Sequence, residues 1–314
     1  MRESPAAWQE LRYEQATDAD GDACDGNAVR RAKVLWALQY DHRPEDLPLV
    51  RWLAGQEARC RSEAPFQGLT EEVELAGFLL AEHRRVEDVW LHAAMKQANF
   101  DTLAGYDIEH LFAAGVRATV DFVRDSGHAD RDGVLDLLVD DEGRPRVSEE
   151  GLAEWTRGRR ARFPADPAVE DPLTLVERAL LAGDRELARR ELDRWAAGRP
   201  RDRATLGQLR WVFADLGEFA EAARAQRESV VFAGNAWDSA LAWLDLAGLE
   251  RRAGDHHAAR EALRECRQVL DEVPRWSEVG LGRMYLEELS LVTGSAEGGA
   301  ETAFTGADDG AGDP

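Results

Sequence analysis

Three glycines, Gly183, Gly217 and Gly254, recur 34 and 37 residues apart, each after a helical apolar stretch and before an acidic residue. Self-similarity at that period is the mark of stacked supersecondary units, and it narrows the possible folds more than any other feature of the chain. Glycine suits a tight turn between two helices because it adopts φ > 0 without steric cost. A unit of two helices cannot cover its own apolar face. Neighbours must therefore stack, and the last unit needs a cap.

The residues flanking each glycine agree from unit to unit. Leu175, Val176 and Ala179 precede Gly183, and Ala188, Leu192 and Trp195 follow it. Leu206, Leu209 and Phe213 precede Gly217, with Phe219, Ala222 and Ser229 after it. Trp243, Leu246 and Ala247 precede Gly254, and Ala259, Leu263 and Cys266 follow. Ala188, Ala222 and Ala259 fall where paired helices cross most closely, and Pro200 closes the first unit. Leu281 to Gly294, with Met284, Leu286, Leu289 and Leu291, has the pattern of a terminal capping helix.

Over roughly residues 168–294 this pattern resembles the tetratricopeptide repeat (TPR) family. It departs at Glu250, where an aromatic is usual, and by an insertion before Trp243. The resemblance implies an all-α, right-handed solenoid of antiparallel helical hairpins whose groove, lined by the first helix of each hairpin, receives a peptide or a partner's helix. Carried over by position, the groove residues are Glu177 and Leu181 in the first unit and Gln208, Trp211 and Asp215 in the second. The third adds Leu244, Asp245, Arg251 and Arg252, and the cap adds Met284 and Glu288. The Lys/Asn/Arg clamp with which some members hold a terminal carboxylate is not reproduced. Such a groove, aromatic and acid-leaning with one Arg pair, suits a protein or peptide of mixed or basic charge, with Trp211 as its anchor.

The rest of the chain is helical in pattern but has no such register. Apolar periodicity predicts helices at about 28–40, 46–63, 70–84, 86–99, 107–124, 129–139 and 148–161. The 107–124 helix is the clearest, with Ile108, Leu111, Phe112, Val116, Val120 and Val123 on one face. Thr70 and Ser148, each followed by two glutamates, read as N-caps. The stretch 139–147 is a small hairpin or a loop. Pairing 46–63 with 70–84, and 86–99 with 107–124, makes residues 28–165 either a degenerate extension of the 166–294 array or a separate helical domain. Residues 1–27 and 295–314 are expected to be acidic tails too poor in apolar residues to order themselves, although a short helix around Trp8, Leu11 and Tyr13 could dock.

Composition narrows the function. Thirty-nine basic against 61 acidic residues give a net charge of −22. That charge opposes binding to phosphate backbones or anionic membranes. No apolar run approaches the roughly 20 residues of a bilayer span. The N-terminus lacks the basic and apolar parts of a signal peptide, so a cytoplasmic location is expected. Cys24, Cys60 and Cys266 form no CxxC pair and read as reduced thiols. Abundant Ala, Arg and Gly with few Lys and Asn suggest a GC-rich bacterial gene.

Catalytic motifs are missing: no P-loop, GxSxG, HExxH or kinase set occurs. Asp18, Asp20 and Asp22 have the first spacing of a calcium loop without its later glycine and acid. Asp107 and His110, with His83, Asp88 and His92 a hairpin away, could converge as a His/Asp cluster able to hold a metal or move a proton. The plainer reading is a hydrogen-bonded interfacial His110. Arg157-Gly158-Arg159-Arg160-Ala161-Arg162 is the one dense basic run, placed where a helix C-terminus favours cations or where an acidic segment could dock. The expected function is thus an intracellular interaction module, adaptor or regulatory, without catalytic residues, metal or cofactor. The alternatives are a peptide-sensing regulator without its own DNA-binding domain, and an enzyme or metal-binding protein using the His/Asp cluster.

Overall fold

The computed structural model describes residue 2 and residues 4–64 and 68–304, with side chains through Gly294. The described chain is all-helical apart from one two-stranded sheet. It divides into two compact units, Met1–Glu170 and Asp171–Pro314, each with a hydrophobic core of its own.

The first unit begins where a tail was expected. A 3-10 turn, Pro5–Leu11, leads into strands β1 (Gln15–Thr17) and β2 (Ala23–Asp25), antiparallel with Ala16 opposite Cys24. The acidic turn between them is organised by Asp18. Its carboxylate accepts the Asp20 and Asp22 amides at 3.0 and 2.9 Å, and Gly21 takes φ +92°. Leu11 and Tyr13 are buried, and Trp8 packs on Trp52. Polar bonds therefore do what apolar content alone could not. The expectation of an unordered 1–27 segment is corrected, while residues 305–314 of the other expected tail lie outside the described residues.

Helices α1 (Ala28–Tyr40), α2 (Leu47–Glu63) and α3 (Glu71–Glu82) follow the predicted periodicity. Helix α2 packs on α3, and α1 also lies against α3. Thr70 occupies the N-cap position of α3 without capping it, because its hydroxyl accepts from Arg61 at 2.8 Å. Past α3 the expected 86–99 helix shortens to α4 (Val89–Lys96), and Asn99 caps a separate α5 (Phe100–Gly105). The expected 107–124 helix is broken. Ile108–Phe112 is a 3-10 turn, and α6 (Val116–Asp125) restarts after Gly115 at φ +116°, a conformation side chains rarely adopt. The apolar spacing runs on across the break because both pieces face the same core. Helices α7 (Arg131–Leu138) and α8 (Glu149–Arg162) complete the unit, α8 capped by Ser148. Between them lies a tight turn with a single Val139–Pro145 bridge.

The second unit contains three successive helical hairpins: α9 (Pro172–Leu181) with α10 (Arg185–Ala196), α11 (Arg203–Asp215) with α12 (Phe219–Ser229), and α13 (Ala236–Arg252) with α14 (His256–Leu270). Their turns are chemically the same. Gly183, Gly217 and Gly254 sit at φ +75°, +71° and +85°. The amide after each glycine donates to the carbonyl five residues back: Asp184 to Ala179, Glu218 to Phe213, Asp255 to Glu250, at 2.8 to 2.9 Å. This pair of features is the Schellman cap, which satisfies helix-end carbonyls. Asp184 and Asp255 then cap the following helix through their carboxylates. Ala188, Ala222 and Ala259 are wholly buried. Glu250 is buried too and pairs with Arg227, an ionic contact in the interior of the unit. Helix α15 (Gly280–Phe304) lies against α13 and α14.

Candidate functional site

The first helix of the second hairpin, the first helix of the third, and α15 line an open cavity of about 480 Å³. Helix α11 contributes Arg210, Trp211 and Ala214, spaced so that one face meets the cavity. Helix α13 contributes Leu244, Asp245, Gly248, Leu249, Arg251 and Arg252. From α15 come Met284, Glu287, Glu288 and Leu291. Trp211 is 47% exposed and Met284 43%, large values for side chains of that size beside a concave surface.

Charges around this apolar floor are mostly paired between helices. Arg251 meets Glu288 through two bonds, Nε to Oε1 at 2.6 Å and Nη2 to Oε2 at 3.2 Å, and so ties α15 to α13. Arg210 reaches Asp245 at 2.8 Å and ties α11 to α13. The Arg252 guanidinium lies 4.0 Å from the centre of the Phe219 ring. What the wall presents is an aromatic and aliphatic strip with compensated charge, rather than an acidic groove.

Trp211, Leu244, Asp245, Arg251, Arg252, Met284 and Glu288 line this cavity together. Glu177, Leu181, Gln208 and Asp215 are not. Helix α9 contributes nothing to this cavity, so Glu177 and Leu181 stand outside it, and Gln208 and Asp215 lie beyond its ends on α11. The register missed Arg210, Ala214, Gly248, Leu249, Glu287 and Leu291. The i+3 and i+4 neighbours of the residues chosen were the available signal for all of these but Arg210.

The His/Asp cluster of the first unit divides. Asp107 accepts the Trp155 indole N–H at 2.6 Å and Arg159 Nε at 2.9 Å. Asp88 takes Arg51 at 2.6 Å, and His83 meets His42, Nε2 to Nε2 at 2.8 Å. Only His92 and His110 converge, in a fully buried stack with Tyr106. The His110 ring lies 4.3 Å from that of Tyr106 and 5.6 Å from that of His92. His92 Nδ1 and the Tyr106 hydroxyl are 2.8 Å apart. Gly77 makes this stack possible, since a Cβ there would come within 2.3 Å of the Tyr106 oxygen. At His110 neither ring nitrogen has a side-chain partner among the described residues, and the polar contact left to the ring is with the Gly77 backbone.

Burial depresses both imidazoles, His92 to about 3 and His110 well below its ordinary value, with His92 and Arg159 adding to the shift at His110. Burial likewise lowers His83 to about 4, helped by His42. Among the described residues no group of three or more His, Cys, Asp or Glu is placed to hold a metal ion. Cys60 and Cys266 are raised by burial to about 11 and about 12, which keeps them as thiols. No described helix is long and apolar enough to cross a membrane. Neither a family model, nor a curated protein, nor a solved structure matches this chain.

Proposed function

We propose that residues 171–294 form a tetratricopeptide-like right-handed solenoid and that the chain works as a protein- or peptide-binding module, adaptor or regulatory, in the cytoplasm. The observation that carries this reading is the cavity between α11, α13 and α15. A half-exposed Trp211 stands there beside Met284 and Leu291, framed by inter-helix ion pairs that fix its walls. Large apolar side chains left at a concave surface are the usual anchors of an interface, and a few of them carry most of its energy. The occupant that fits is an amphipathic helix or extended segment. It would place an apolar residue against Trp211 and spread mixed charge along the Arg210–Asp245 and Arg251–Glu288 pairs.

The test is selection from a random peptide library with the wild type and the Trp211→Ala, Met284→Ala double variant in parallel. Wild type is expected to enrich peptides sharing an apolar anchor, and the double variant to lose them with its melting curve unchanged. Retention of the same peptides by a folded double variant would sink the proposal.

A further inference from the structure

The basic run 157–162 divides in the fold, and what it leaves over makes a second site in the first unit. Arg159 bridges Glu74 and Asp107, Arg160 forks onto Glu82, and Arg162 takes the other Glu74 oxygen. Arg157 has no ion-pair partner among the described residues, and it lines a cavity of about 260 Å³ between the end of α3, the Ala113 turn and α8. Arg84 is also on that wall. Its Nε makes only a 3.4 Å bond to the Ala113 carbonyl, and its backbone sits at φ +51°.

The two acids of the wall are already engaged. Glu82 is held by Arg160 at 3.1 to 3.3 Å. Glu149 accepts the first amide of α6, that of Val116, at 2.9 Å. The floor is apolar, built on Phe78, Leu152 and Trp155, and Trp155 has given its N–H to Asp107, so it adds an aromatic surface and no donor. In a chain of net charge −22, a hollow with two guanidinium groups that have no ion-pair partner among the described residues, over an aromatic floor, is a local reversal of sign.

We propose that this cavity binds a small organic carboxylate with a compact aromatic or branched body. The carboxylate would lie between Arg84 and Arg157, where planar guanidinium groups match it by paired hydrogen bonds, and the body would lie on Trp155 and Phe78. The volume is below that of most drug-sized pockets and suits a molecule of about ten heavy atoms. The site is in the other unit from the groove and does not depend on that reading.

Phenylacetate is the probe, with 2-phenylethanol as its uncharged counterpart, each titrated calorimetrically into the full chain. Phenylacetate is expected to bind with a Kd of about 1 mM or tighter, and 2-phenylethanol about tenfold more weakly. Arg84→Gln and Arg157→Gln should each weaken phenylacetate about fivefold or more, and the pair should abolish its binding. Because substitution at Arg84 could disturb the turn it occupies, Ala153→Leu on α8 provides a second arm that fills the cavity and leaves both arginines. It too should abolish binding. Absence of binding by wild type up to about 10 mM would overturn the proposal. So would equal affinity for the two probes, or undiminished binding by the double arginine variant or by the filled variant.

Discussion

At the scale of single residues, the buried ion network of Arg31 shows how a polar group can organise a core. Arg31 is 0% exposed, pairs with Asp25 at 2.6 Å and Glu57 at 2.8 Å, and donates to the Leu11 carbonyl at 3.2 Å. Removing one member of such a set leaves an uncompensated buried charge, a loss of about 3–5 kcal/mol. Asp25→Ala should therefore lower stability by that order in urea unfolding, whereas Asp41→Ala, on an exposed carboxylate, should change it little. A Tm for Asp25→Ala equal to that of wild type would show that the network contributes nothing. Gly77 sets a second strict requirement. Gly77→Ala would drive a methyl into the Tyr106 hydroxyl, and overpacking of that kind costs about 1–3 kcal/mol. The same substitution at Gly55, where a Cβ meets nothing within 4 Å, should be neutral or mildly stabilising.

Among the secondary-structure elements, the second unit was the more legible in the sequence, for a definite reason. A glycine at φ > 0, an acid after it and an alanine at the crossing are local constraints, and each leaves its own letter in the chain. Gly217→Val and Gly254→Val should accordingly cost more than the roughly 1 kcal/mol of an ordinary glycine replacement, because a β-branched residue opposes φ > 0. Melting curves equal to wild type would detach the turns from the repeat. Ala259→Leu should be destabilising for want of space, and a stable variant would contradict its complete burial. Of the groove, Trp211, Arg251 and Met284 were legible through this register. The phenol–imidazole stack of Tyr106, His92 and His110 was not, since it depends on contacts between elements and on the space at Gly77. The first unit misled in two places. Apolar spacing continued across Gly115 although the helix did not, and the acid-rich start concealed a hairpin held by the Asp18 carboxylate rather than by apolar burial. Deleting residues 1–27 should consequently destabilise the protein by several kcal/mol, since the buried Arg31 would lose its partner Asp25 and the Leu11 carbonyl it donates to.

For the whole molecule, the two cores carry different titrating groups, and this makes a prediction about acid. His92 and His110 are buried and neutral in the first unit, and their folded-state pKa values lie below the unfolded value near 6.5. A depressed histidine contributes stability that is complete above the unfolded pKa and is lost as pH falls, because the unfolded chain takes up protons that the folded chain refuses. For His92 the window runs from about 6.5 down to about 3. His92 removes about 2 kcal/mol between pH 6.5 and 5, at about 1.4 kcal/mol per pH unit, and His110 acts in the same direction. In the second unit the opposite sign operates at Glu250, whose carboxyl is raised by burial against the pull of Arg227, so acidification favours its folded form. Residues 1–170 and 171–314, expressed as separate chains, should each unfold cooperatively, and the first should lose Tm steeply between pH 7 and pH 5 while the second loses little. His110→Phe in the 1–170 chain should reduce that pH dependence by removing one of the buried imidazoles while keeping a stacked ring, with His92 and His83 left to carry the rest. Calorimetry of both chains and the variant across the window decides the matter. Parallel pH profiles for the two chains would place the acid sensitivity elsewhere than in the buried histidines, and an unchanged slope in His110→Phe would place it elsewhere than in His110.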